Sequence, residues 1–104
     1  MNFENRSKIL TVISQIPHGN VASYGQIAKL AGIPRNSRQV GYVLKNLEAG
    51  SGIPWYRVVN SKGEISHRHD PESMAYQCEL LENEGIEIDP IRRRVSLEEY
   101  GWRP

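Results

Sequence analysis

Few side chains in this sequence are equipped for covalent chemistry. Cys78 is the sole cysteine. It falls between Met74 and Leu81 on an apolar helical stripe, with no cation at helical spacing to lower its pKa, and so reads as a core thiol, not a nucleophile. One cysteine can neither close an internal disulfide nor supply paired zinc ligands, which suits a reducing compartment. His67 and His69 flank Arg68 at i and i+2 without a third ligand at fixed spacing; they read as exposed loop histidines, not a metal site. In Pro54-Trp55-Tyr56-Arg57-Val58 the two aromatics are ill suited to nucleophilic or acid–base work. An indole N–H only donates a hydrogen bond, and a phenol with a pKa near 10 is a poor base at neutral pH.

What the sequence does carry is positive charge in a pattern that suits phosphate. The net charge of +1 conceals an asymmetry, because residues 1–47 hold six Lys/Arg against one acid while residues 48–104 hold seven against eleven. Lys29, Arg35, Arg38, Lys45, Arg57, Lys62 and Arg68 follow one another interrupted only by Glu48 and Glu64, a run that would suit a phosphate-facing surface if folding gathers it and is otherwise a solvated charged face.

The elements that must position these groups follow from periodicity and caps. Ile9, Val12, Ile13 and Ile16 occupy i, i+3, i+4 and i+7, one face of a first helix that ends before Pro17 and Gly19. Ser23 and Gln26 have capping-box spacing for a second helix starting near Tyr24, with Ile27, Leu30 and Ala31 inward. Ala31-Gly32-Ile33-Pro34 breaks it, and Asn36 with Gln39 offers the same box for a third helix that buries Val40, Val43, Leu44 and Leu47. Stepping 100° per residue places Arg35, Arg38, Tyr42 and Lys45 on the opposite, exposed face. Two short helices across a Gly-containing turn predict a helix-turn-helix.

After the small-residue connection 48–53, Arg57–Val59 and Glu64–Ser66 flank Asn60-Ser61-Lys62-Gly63 as a predicted hairpin. Asp70-Pro71 starts a fourth helix carrying Met74, Cys78 and Leu81, which Gly85 stops. The tail predicts extended Ile86–Ile88, a turn at Asp89-Pro90, extended Arg92–Val95, and a helical turn capped by Ser96 with Glu99. The expected fold is mainly α with short β hairpins, a winged helix-turn-helix-like single domain spanning residues 1–104. Hydrophobic residues at 38% and charged residues at 24% fit a globular domain with one core. Neither a signal peptide nor a membrane helix is supported, and a cytoplasmic or nucleoid location is expected.

The run GNVASYGQIAKLAGIPRNSRQVGYVLKN, then IPWYRVVNSKGEIS and LLENEG, resembles the DNA-binding domain of the O6-alkylguanine-DNA alkyltransferases. Where that family has Pro-Cys-His-Arg-Val, this chain has Pro54-Trp55-Tyr56-Arg57-Val58. With tryptophan in place of the nucleophilic cysteine, and an ending Leu97-Glu98-Glu99-Tyr100-Gly101-Trp102-Arg103-Pro104, it resembles the non-repairing, alkyltransferase-like branch.

That resemblance implies a protein that is not an enzyme, needs no cofactor or metal, and binds duplex DNA containing O6-alkylguanine. It implies that Tyr24 crowds the target phosphate, that Arg38 enters the base stack in place of the flipped base, and that Trp55 walls the receiving pocket. Tyr56, Arg57, Val58 and Arg68 would contribute contacts there, and Arg35, Asn36, Ser37, Gln39, Tyr42 and Lys45 would complete the recognition helix. Asn46 and Glu84 match family residues that support the motif by hydrogen bonding. A monomer that hands the marked lesion to nucleotide-excision repair proteins is the expected context. Two rival readings are a helix-turn-helix regulator without lesion specificity, and an alkyltransferase using another nucleophile; lesion-selective binding separates the first, and a covalent mass increase the second.

Overall fold

The computed structural model describes residues 3–48, 50–65 and 71–104. Helix α1 (Phe3–Ser14) turns Ile9, Val12 and Ile13 inward, as their spacing predicts. Strand β1 (Ala22–Ser23) leads directly into α2 (Tyr24–Leu30), and α3 (Ser37–Lys45) follows across a turn in which Gly32 takes φ +82°. That left-handed conformation costs glycine little, and it lets the Gly32 and Ile33 amides close onto the carbonyls of Lys29 and Ala28. Helices α1, α2 and α3 pack on one another, the helix-turn-helix arrangement expected.

A 3-10 turn at Trp55–Arg57 delivers the chain into β2 (Val58–Val59), which pairs parallel with β1 in the register Ala22 to Val58 and Ser23 to Val59. Successive side chains of a strand point to opposite faces. Ala22 and Val58 therefore join the cluster formed by α1, α2 and α3, whereas Val21 and Val59 join a second cluster with Ile65, Leu81, Ile86 and Val95. The short strand pair is the partition between two apolar layers. The second layer is closed by α4 (Pro71–Asn83), the antiparallel hairpin of β3 (Ile88–Asp89) and β4 (Arg94–Val95), and the short α5 (Leu97–Tyr100), whose Ser96 hydroxyl accepts from the Glu99 amide.

Three local expectations are corrected. Ser23 does cap α2 through the Gln26 amide at 3.1 Å, but the Gln26 side chain donates to the Trp102 carbonyl at 2.7 Å instead of returning to its own cap. Asn36 makes no side-chain cap on α3, and Gln39 accepts from the Asn5 amide of α1 at 3.2 Å. In both places a distant partner competes for the glutamine. The predicted hairpin at Arg57–Ser66 is also not a two-stranded ladder. Asn60 does turn the chain, its Oδ1 accepting from the amides of Lys62 and Glu64 at 2.9 and 2.8 Å, yet Arg57 lies in the 3-10 turn and Glu64 bridges to Arg94. Ile65 donates to Arg93 and Val95 to Gly63, so this arm pairs with the tail. Ser66 and Asp70 lie outside the described residues.

Candidate nucleic-acid interface

Burial of Val40, Val43 and Leu44 against α1 and α2 forces the other side of α3 into solvent. Arg35, Asn36, Ser37, Arg38, Tyr42 and Lys45 are all exposed, Tyr42 at 55%. Gln39 is the exception in the expected recognition helix: half-buried and bonded to Asn5, it positions α3 on α1 and leaves the outward face. Tyr24 is the first residue of α2, half-buried against the first apolar cluster.

The C-terminal half of α3 is one wall of an open cleft of about 690 Å³. Leu44 and Lys45 line it with Ile53, Pro54 and Trp55, while Tyr76 and Leu80 of α4 face them. Trp55 is half-buried. Its ring meets Tyr56 edge-on at 5.8 Å and 90°, and Tyr76 at 6.1 Å with the planes tilted by 41°. Such spacings are favourable for aromatic pairs and hold the indole in place without closing the cleft. Tyr76 was not singled out from the sequence, where an exposed tyrosine between apolar positions carries no signal of a partner on another element.

Behind the cleft, Glu84 gathers four groups. Arg57 donates to it through Nε at 3.0 Å and Nη2 at 2.6 Å, the Tyr56 hydroxyl at 2.8 Å, and the Gly19 amide at 2.9 Å. Arg57 Nη1 also donates to the Ile16 carbonyl at 2.8 Å, and its guanidinium lies 5.4 Å from the Tyr56 ring centre. Burial pushes the Glu84 carboxyl up, but the hydrogen bonds from Arg57, Gly19 and Tyr56 outweigh it and hold the group below its usual value. Burial and the Glu84 hydrogen bond push the Tyr56 phenol up, which keeps it protonated at neutral pH and so unable to take a proton from a neighbour. Gln77, 1% exposed, donates from Nε2 to the carbonyls of Tyr56 and Val58 at 3.0 and 3.1 Å. This amide was also missed from sequence, where a lone polar residue beside Cys78 reads as solvent-facing.

A family model described as the DNA binding domain of 6-O-methylguanine DNA methyltransferase matches residues 4–86. An alkyltransferase-like protein of Schizosaccharomyces pombe is 39% identical over 101 residues, covering 94% of each chain. The chain belongs to the alkyltransferase-like family. A protein of Vibrio parahaemolyticus named a DNA base-flipping protein is 46% identical over 93% of this chain and 94% of its own. The crystal structure of S. pombe Atl1 in complex with damaged DNA containing O6-carboxymethylguanine superposes with a TM-score of 0.91 at 36% identity, over 100% of this chain and 99% of that one. Mycobacterium tuberculosis OGT in complex with DNA matches with a TM-score of 0.69 at 26% identity, over 81% of this chain and 50% of that one.

As an alkyltransferase-like protein, the chain carries an indole at Trp55 where dealkylation requires a thiolate, so it has no acceptor for an alkyl group there. Cys78 does not substitute for it: burial pushes its thiol up, and it packs with the second apolar cluster. Among the described residues no three His, Cys, Asp or Glu converge as metal ligands, and no helix is long and apolar enough to cross a membrane.

Several of the expected contact residues have partners within the protein. Arg57, only 14% exposed at its side chain, is engaged by Glu84 and Ile16 behind the cleft. The Val58 side chain is buried in the core and its carbonyl accepts from Gln77. Asn46 donates to the Tyr42 carbonyl at 2.8 Å, where it finishes its own helix and does not join the Glu84 cluster. Arg68 lies outside the described residues, as do His67 and His69.

Proposed function

We propose that this chain is a non-catalytic sensor of O6-alkylguanine in duplex DNA, acting as one domain over residues 1–104. It lays the exposed face of α3 in the minor groove, extrudes the damaged base and holds it in the cleft beside Trp55. The observation that carries this reading is the placement of Trp55 on an open cleft whose wall is the same helix that presents Arg38, Tyr42 and Lys45 to solvent. Arg38 and Lys45 are two helical turns apart on one face, a distance of roughly 10 Å, so a duplex held along α3 reaches the cleft without a large detour. Extrusion costs a few kcal/mol of stacking and pairing. A guanidinium from Arg38 entering the vacated stack, with Tyr24 crowding the flanking phosphate, offsets part of that cost. Arg35, Asn36, Ser37, Tyr42 and Lys45 hold the register, and Tyr56 fixes Trp55 from behind. Family resemblance supports a monomer, associated with the nucleoid when bound, that recruits nucleotide-excision repair proteins to the occupied site.

The test is a titration of matched duplexes with and without one O6-methylguanine, read by tryptophan fluorescence in a Trp102→Phe variant so that Trp55 alone reports. Tighter binding to the damaged duplex with a change in Trp55 emission is expected. Equal, weak binding to both would reduce the chain to a helix-turn-helix domain without lesion specificity.

A further inference from the structure

The tail beyond residue 86 lies outside the matched family model, and it builds a second concave surface. A cleft of about 450 Å³ is lined by Ser61, Lys62, Arg92, Arg94, Asp89 and Glu98, among others. Arg94 Nε donates to the Lys62 carbonyl at 2.8 Å, which ties the tail hairpin to the Asn60–Gly63 turn and sets Arg94 beside Lys62. Arg93, with φ 49°, is turned away toward the Met74 sulfur, so Arg92 and Arg94 share the cleft and Arg93 does not. Of the two carboxylates present, Asp89 accepts from the amides of Ile91 and Arg92 at 2.9 and 3.0 Å, which commits it to the turn. Asp89 keeps its negative charge beside Arg92 and Arg94, so with Glu98 two carboxylates stand against three cations and leave the cleft one positive charge in excess.

The position of this cleft relative to the candidate interface follows from strand register. Because β1 and β2 run parallel with Ser23 opposite Val59, the next residues, Tyr24 and Asn60, leave the sheet at the same end. Tyr24 opens α2, and Asn60 opens the turn that bears Lys62. The start of α2 and the turn that bears Lys62 therefore emerge at the same end of the strand pair.

We propose that Lys62, Arg92 and Arg94 form a second phosphate-binding site, which grips the backbone of the bound duplex beside the Tyr24 end of the interface and adds affinity without lesion selectivity. This inference rests on the reading that duplex DNA lies along α3. The test uses the full chain and its Lys62→Ala/Arg92→Ala variant, which keeps the Arg94 tether, on duplexes with and without O6-methylguanine at 50 and 200 mM salt. Each lost phosphate contact removes about 0.9 from the slope of log affinity against log salt, so two contacts predict that the wild-type advantage shrinks roughly twelvefold across that fourfold salt range. The shrinkage is expected to be equal on both duplexes. Parallel salt plots for the two proteins would overturn the second site while leaving any wild-type preference for damaged DNA, and hence the sensor reading, in place. Conversely, a slope difference without that preference would leave the second site standing and remove the sensor.

Discussion

Replacing Glu84 with Gln tests whether the cluster behind the cleft is the support on which Trp55 rests. The carboxylate is 6% exposed at its side chain and Arg57 is 14% exposed, with a 2.6 Å contact between them. Glutamine keeps the shape but presents an NH2 group and no charge to a guanidinium that remains half-buried. Breaking a fully buried pair by removing one partner costs about 3–5 kcal/mol because the surviving charge is left uncompensated, and this part-buried pair belongs at the low end, about 3 kcal/mol. For a domain of this size each kcal/mol moves Tm by about 4–8 °C, so a fall of roughly 12 °C or more is expected. Urea denaturation of wild type, Glu84→Gln, Arg57→Met and the double variant gives the coupling directly. Removing Arg57 as well eliminates the stranded charge, and the double variant should cost less than the sum of the singles by about 2 kcal/mol. A Glu84→Gln cost below about 1 kcal/mol with no coupling is the behaviour of an exposed ion pair, and it would refute the placement of this cluster in the protein's load path.

Five further outcomes are expected. The Glu84 carboxyl is held below its unfolded value of about 4.3, so its contribution to stability is fully present above that value and is lost as pH falls through the folded one. Asp89 is held low too, by turn amides. The decisive measurement is therefore the difference in urea midpoint between wild type and Glu84→Gln, which should narrow in acid. Gly63 has φ +81°, and a Cβ there runs into the Val95 carbonyl; Gly63→Ala should cost at least about 2 kcal/mol by chemical denaturation. Gly25, with open space around it, should tolerate alanine with no loss of stability. Arg38→Ala should weaken binding to the O6-methylguanine duplex roughly thirtyfold, about 2 kcal/mol, at an unchanged melting temperature; equal damage to folding and binding would remove its role. Trp55→Cys should take up no alkyl group by mass spectrometry, because Tyr56 is no base at neutral pH, and rapid transfer would overturn that reasoning.

The sequence by itself determined the parts whose causes are local. The periodicity of Ile9, Val12 and Ile13 and of Val40, Val43 and Leu44 fixes which helix faces go inward, and hence that Arg38, Tyr42 and Lys45 face solvent. Ser23 and Ser96 announce helix starts because a hydroxyl can satisfy a free amide three residues on. The inability of an indole to accept an alkyl group is a property of Trp55 alone. Only the tertiary structure decided the partners. Arg57 looks like one more cation in a basic run until α4 returns Glu84 to it across 27 residues. Gln26 reads as half of a capping box until Trp102 arrives 76 residues later. Val58 and Val59 read as a hairpin arm, yet they pair with Ala22 and Ser23. Tyr76 and Gln77 carry no signal until the cleft and the Tyr56 and Val58 carbonyls meet them. The reason is common to all of these. Spacing along a chain states which groups share a face, but a buried cation or amide takes the acceptor that packing brings within about 3 Å, and that choice is made by the whole fold.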